Sequence, residues 1–209
     1  DMERTLSRLN YGVANARDLI NLKLFLDRVP EIRNLLATFE PDLLRQVQRQ
    51  IQPFPRLSEL ISRSIVDEPP LTIKEGGIIR DGYSAELDEL RQISQKGKQW
   101  ILEFQQREID RTGIKSLKVK YSQVFGYAIE ISRTNLQSVP ENYIRRQTLA
   151  NAERFIVPEL REWDEKISGA QDKIKALEYQ IFLDIRNQIL SDLAPLQEMA
   201  KAIGILDAL

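Results

Sequence analysis

Along the first 111 residues, and again after residue 158, apolar side chains recur at steps of three and four, the period of a helix with one buried face. Asn15 to Leu26 carries Leu19, Ile20, Leu22, Leu24, Phe25 and Leu26, and Pro41-Asp42 can open a helix running through Leu43, Leu44 and Val47 to Ile51. Proline suits a helix's first turn because its missing N–H would be unpaired there anyway. Pro30, Pro41, Pro53 and Pro55 punctuate residues 1–66, which predicts a compact hub of short, proline-broken helices. DEPPLTIKEGGIIRDGY (67–83) reads as a connector. Ser84 then caps a helix with Glu86 and Asp88 in its first turns. Leu87, Leu90, Ile93, Trp100, Ile101, Phe104 and Ile109 continue its apolar face until Thr112-Gly113 ends it. Gly97, inside that helix, costs about 1 kcal/mol against alanine and points to close approach of another helix.

At Lys115 the period changes from about 3.6 to 2. Leu117, Val119 and Tyr121 alternate with Lys118, Lys120 and Ser122, the pattern of a strand with one apolar and one basic face. Tyr127, Ile129 and Ile131 alternate in the same way with Ala128, Glu130 and Ser132, and Ser122–Gly126 is short enough to close a hairpin. A second strand pair is expected over Tyr143–Thr148 and Ala152–Val157. Pro158 then starts a helix showing Leu160, Trp163, Ile167, Ala170, Ile174, Leu177 and Ile181 at heptad spacing, continued less strictly by Ile185 and Ile189. A seam that regular predicts packing along one long partner, for which the helix from Ser84 is nearest. Glu159–Leu190 would run about 48 Å at ~1.5 Å per residue. A last helix begins at Pro195, and the chain stops within apolar sequence (Ile203, Ile205, Leu206, Leu209), so a longer parent is expected.

The fold class that follows is mainly α: a helical core with a long antiparallel helix pair carrying a small antiparallel β module. The expected division is 1–111 core and first long helix, 112–158 β module, 159–209 returning helix.

Charge sharpens this picture. Between Thr112 and Pro158 there are seven Lys/Arg (115, 118, 120, 133, 145, 146, 154) against three Glu (130, 141, 153), a net of +4 in a chain whose total is −1. Basic charge concentrated in one small module is what a phosphate backbone recruits. At 42% hydrophobic and 29% charged, the composition is that of a soluble globular protein, and no apolar run approaches the ~18 residues of a membrane span. Without a signal-peptide core at the N-terminus, a cytoplasmic location is the default expectation. Cysteine and histidine are both absent, which removes disulfides, thiolate nucleophiles, imidazole bases and the usual zinc sites. No Gly-x-Ser-x-Gly elbow or GxxxxGK[ST] phosphate loop occurs, and Gly76-Gly77, lacking a strand-to-helix setting, reads as a turn. Neither a catalytic group nor a bound cofactor is expected.

Three stretches, IKEGGIIRDGYSAELDELR (73–91), TGIKSLKVKYSQVFGYAIEISR (112–133) and YIRRQTLANAERFIVPEL (143–160), resemble the middle of the MutS family of mismatch-recognition ATPases. The opening DMERTLSRLNYGVANARDL is similar to the entry of that family's core domain, so the resemblance covers nearly the whole chain. It implies a core, lever and clamp: a helical lever joins an ATPase to a clamp, and two clamps of a homodimer close on duplex DNA through sugar-phosphate contacts without sequence preference. It also implies ATP and Mg in the parent, through domains absent here, and a MutL-type repair partner, with no membrane. The family's RRQTL…NAER stretch falls on Arg145, Arg146, Gln147, Thr148, Leu149, Asn151, Ala152, Glu153 and Arg154. Ala150 stands where many relatives have lysine, and Lys120 where glycine is common. The candidate backbone-binding residues are Lys118, Lys120, Arg133, Arg145, Arg146, Gln147, Thr148, Asn151 and Arg154: arginine and lysine for charge-assisted bonds, the amides and hydroxyl for neutral ones. On a regular strand only one of Arg145 and Arg146 can face a given side, and Asn151 reads equally as a turn residue.

Two rival readings differ in class. An interaction arm would show an exposed apolar patch on its β module, where DNA clamping calls for a basic and polar surface. A family paralogue acting on branched DNA is the other, and the intact β segment argues against it, since bacterial paralogues of that kind typically lack the clamp.

Overall fold

The computed structural model describes residues 2–39 and 41–208; Leu209, counted above in the last apolar run, lies outside them. The chain is mainly helical with one small antiparallel sheet, as the periodicity predicts. Among the described residues no helix is long and apolar enough to cross a membrane. Two compact units form, one from residues 1–85 and 175–209 and one from 86–174, and their boundaries fall inside the two longest helices.

The first unit holds α1 (Met2–Asn10), α2 (Ala16–Leu36), α3 (Asp42–Gln50), α4 (Pro55–Ser64) and α7 (Leu193–Asp207). Leu6, Leu9, Leu19, Leu22, Val29, Ile61, Leu196 and Met199 are buried in it. α2 starts with a reciprocal cap: Asn15 accepts from the Asp18 N–H at 3.1 Å, and Asp18 accepts from the Asn15 N–H at 2.8 Å. It does not break at Pro30, contrary to the sequence expectation, but runs 21 residues through it. A proline inside a helix leaves the carbonyl four residues back without its N–H partner and costs about 3 kcal/mol. Leu26, Val29 and Leu36 are buried on either side of Pro30, so packing outweighs that local cost, while Pro30 itself faces solvent.

The 67–83 connector is more ordered than its composition suggests. Gly76 and Gly77, at φ of 75° and 74°, turn the chain so that Ile78 and Ile79 enter the core. Ile79 bridges Ile65, the Val66 N–H donates to the Ile78 carbonyl at 3.1 Å, and the buried Glu178 carboxylate accepts the Ile78 N–H at 2.9 Å.

The second unit contains nearly all of α5 (Ala85–Thr112), the sheet, and the start of α6 (Pro158–Leu190). The heptad on α6 holds for Leu160, Ile167 and Ala170, which are buried, and for the half-buried Trp163. Past residue 174 the buried positions become Glu178, Phe182, Ile185 and Ile189, while Leu177 and Ile181 are only half-buried. The expectation of one continuous seam is corrected to one that changes register. A four-residue step inserted into a heptad does this, and each part of α6 buries its face within a different unit.

In the second unit α5 and α6 are antiparallel where Trp100 stacks on Trp163 (5.0 Å between centroids) and Arg107 pairs with Glu159 at 2.7 Å. The sheet order is β1 (Lys118–Ser122), β2 (Gly126–Ser132), β4 (Ala152–Ile156), β3 (Ile144–Thr148), all antiparallel. The four strands lie where the period-2 segments predict them. A 3-10 turn at Arg133–Ser138, which the sequence did not signal, carries the chain from β2 toward β3.

Candidate nucleic-acid interface

Strand register decides which candidate residues share a surface, because directly paired residues of antiparallel strands point to the same side. Lys118 lies opposite Glu130, Glu130 opposite Arg154, and Arg154 opposite Gln147. These four form one row across all four strands, and Lys120 lies on the same face opposite Ala128. The other face carries Val119, Ile129, Ile131 and Phe155, which pack on Ile101 and Phe104 of α5 and Leu160 and Ile167 of α6. The basic row therefore lies on the face away from the helices.

That face is partly self-neutralised. Lys120 Nζ is 2.6 Å from Glu130 Oε1, Arg154 Nε is 3.4 Å from Glu130 Oε2, and Arg154 Nη1 donates to Gln147 Oε1 at 3.0 Å. The hydrogen bond from Lys120 holds the Glu130 carboxyl below its usual range; partial burial opposes this and Arg154 reinforces it. Lys118, in the same row, makes no side-chain ion pair or hydrogen bond among the described residues.

The remaining candidates lie elsewhere on the sheet. Arg145 pairs with Phe155 across β3 and β4, which puts it on the helix-packed side at the sheet margin, with Nη1 3.5 Å from Glu153 Oε1. The register slips between Arg145 and Gln147, making Arg146 an extra, bulged residue. Strict alternation therefore does not govern this pair. Both arginines are exposed, and Arg146, like Lys118, has no side-chain partner among the described residues. Arg133, Thr148 and Asn151 gather at one end of the sheet. The Arg133 N–H donates to the Asn151 carbonyl at 3.2 Å and Arg133 Nη2 to the Leu149 carbonyl at 3.2 Å, which ties the β3–β4 turn to the end of β2. The nine candidates thus divide between an outer face, a β3 edge and one end of the sheet.

Sequence reasoning missed the residues that hold this sheet in place. Gln105 on α5 accepts the Val119 N–H at 2.7 Å, and Asp164 on α6 accepts the Tyr127 N–H at 3.2 Å. The buried Glu108 accepts from Tyr143 Oη at 2.6 Å and from Arg111 Nη2 at 2.6 Å. A polar residue at a buried helical position was the available signal for Glu108; Gln105 and Asp164 sit beside the apolar stripe and carried none.

A family model described as MutS family domain IV matches residues 82–173, close to the compact unit at 86–174. The whole chain aligns at 51% identity with the DNA mismatch repair protein MutS of Methanosarcina mazei, at 47% with that of Halothermothrix orenii and at 46% with that of Lachnoclostridium phytofermentans. The chain belongs to the MutS family. It spans 24%, 23% and 22% of the lengths of those three relatives. The matched stretch takes in helical stems as well as strands, and the RRQTL…NAER motif is β3, its turn and β4. Among the described residues no group of three or more Asp/Glu could hold a metal ion, and the phosphate-loop pattern is missing from the sequence.

Proposed function

We propose that residues 112–158 grip duplex DNA through its sugar-phosphate backbone as the clamp of a mismatch-repair protein acting in the cytoplasm. One observation carries this reading: Lys118, Lys120, Arg154 and Gln147 fall in register on the sheet face that the helices leave free, with the exposed Arg146 on the adjoining edge strand. The exposed apolar residues of the strand region argue against a protein-docking arm. Tyr121 and Val124 belong to the β1–β2 hairpin and Ile144 to the opposite edge strand, so they make no continuous patch.

Mechanistically this stretch does no covalent chemistry. Phosphate oxygens approach the outer face and the β3 edge, where lysine and arginine displace condensed counterions and the amide and hydroxyl groups add neutral bonds. A grip made to phosphate and sugar alone is indifferent to sequence and to mismatches. In the whole protein, α5 and α6 serve as a lever carrying displacement from an ATPase to this clamp; two copies close around the duplex, and a MutL-type partner acts on the closed state.

The test is duplex binding at two salt concentrations, wild type against Arg145→Glu plus Arg146→Glu. The reading expects weak binding that falls steeply with salt, shows no mismatch preference and drops further in the variant, with the log–log slope flattening by about 0.9 for each lost contact. A folded wild type that shows no salt-dependent binding overturns it.

A further inference from the structure

We propose that Glu130 is a built-in brake on the DNA grip, an acidic side chain that occupies two of the face's cations and sets how tightly duplex is held. The inference rests on the clamp reading and goes beyond it by naming the residue that limits affinity.

The geometry is specific. Glu130 sits in the middle of the outer row, with Lys118 on one side and Arg154 on the other, and uses both carboxylate oxygens: Oε1 toward Lys120 Nζ at 2.6 Å and Oε2 toward Arg154 Nε at 3.4 Å. Its side chain is 16% exposed against 48% for Lys120, so the carboxylate lies below the ammonium that a phosphate would meet. A phosphate approaching Lys120 or Arg154 must therefore compete with an anion already in place. It also meets the repulsion of that anion beneath the surface, in a partly buried setting where screening is weaker than in bulk water. Lys118 and Arg146, with no such competitor, give their full charge to the duplex. A clamp that must close on DNA and later let go is served by a weak, rapidly reversible grip.

The experiment is salt-titrated binding of the 209-residue chain to a matched duplex, comparing wild type with Glu130→Gln, Glu130→Asp, Lys118→Gln and Lys120→Gln, each checked for folding by the fluorescence of Trp100 and Trp163. Glu130→Gln, which keeps size and an acceptor but loses the charge, is expected to bind roughly three- to tenfold tighter at low salt. Its log–log slope should steepen by about 0.9 for each cation released. Glu130→Asp, which keeps the charge, should not tighten binding. Lys120→Gln, already engaged by Glu130, should lose less affinity than Lys118→Gln, and this comparison leaves the centre of the sheet untouched. If Glu130→Gln binds equally or more weakly, or Lys120→Gln loses as much as Lys118→Gln, while Lys118→Gln still weakens binding, the brake is refuted and the clamp reading stands. Absence of salt-dependent binding in every folded variant refutes both.

Discussion

Gly97 of α5 lies so close to Ile167 of α6 that a Cβ on the glycine would overlap Ile167 Cγ1. Both positions are buried, and Trp100 and Trp163 stack one turn along the same contact. Alanine at position 97 would gain about 1 kcal/mol of helix propensity, but overpacking a close-packed contact costs about 1–3 kcal/mol and the Ile167 atoms in the way belong to a fully buried side chain. Gly97→Ala is therefore expected to destabilise the second unit on balance. Because Trp100 and Trp163 are the only tryptophans, denaturant unfolding followed by fluorescence reports on this contact directly. In a double-mutant cycle, Ile167→Ala should cost less in the Gly97→Ala background than in wild type. Equal costs in both backgrounds would show that the helices do not meet here.

Arg145 and Arg146 are adjacent in sequence and unequal in surroundings. Arg145 is partnered by Glu153, whereas Arg146, displaced by the bulge, has no side-chain partner among the described residues. If the clamp reading holds, Arg146→Gln should flatten the salt dependence of duplex binding by about 0.9 and Arg145→Gln by less. The reverse ranking, measured in the same titration, would place the DNA-facing side of β3 on the other face.

The buried Glu108 and Tyr143, with the exposed Arg111, form a polar cluster that ties the start of β3 to α5. Burial on its own would raise the Glu108 carboxyl, but hydrogen bonds from Arg111 and Tyr143 more than offset it and hold the group below the ordinary 4.5. Burial, reinforced by the hydrogen bond to Glu108, pushes the Tyr143 phenol well above its ordinary 10.0. The signs differ. The depressed carboxyl contributes stability that is present above about pH 4.5 and lost as pH falls through its folded value. The raised phenol contributes stability that is present below pH 10 and lost as pH rises toward its folded value. Stability of the second unit should therefore be flat between these limits and fall on both sides. Tyr143→Phe should remove the alkaline fall and cost about 2 kcal/mol at neutral pH, since a hydrogen bond to a charged buried group is lost. Denaturant midpoints measured across pH check both; an alkaline fall that persists unchanged in Tyr143→Phe would assign it to another group.

How far the molecule was legible in its sequence follows from what each signal encodes. The period-2 runs around Val119, Ile129 and Phe155 located all four strands, because a half-buried strand writes its faces into alternation. Gly97 disclosed a helix contact, because only a missing side chain permits it. Which strands are neighbours is not written locally: β2 pairs with β4, so Glu130 meets Arg154 from 24 residues away, and a count of charges reads as a free basic surface what the register turns into ion pairs. Pro30 misled for the complementary reason, since a local helix breaker was overridden by burial of Val29 and Leu36 on either side of it. The bulge at Arg146 and the change of register along α6 are likewise products of tertiary packing, which single-position rules do not see.

The sheet is fastened to the helices at separate points, and these can be tested independently. The Val119 and Tyr127 N–H groups of the β1–β2 hairpin donate to Gln105 of α5 and Asp164 of α6, whereas the β3 side is held through Tyr143 and Glu108. Gly126, at φ of 70°, brings the backbone so close to Asp164 that any Cβ there would overlap the carboxylate. Removing an acceptor strands a partly buried N–H at a cost of about 1–3 kcal/mol, while keeping the acceptor preserves the bond. Gln105→Leu should therefore speed hydrogen exchange of the β1–β2 amides by roughly ten- to a hundredfold, with Gln105→Glu near wild type and the β3–β4 amides unchanged. Exchange that rises evenly over all four strands would mean the sheet opens as one body. Exchange confined to the hairpin would mark Gln105 as a fastening of the β1–β2 hairpin to α5 that opens independently of the β3 side.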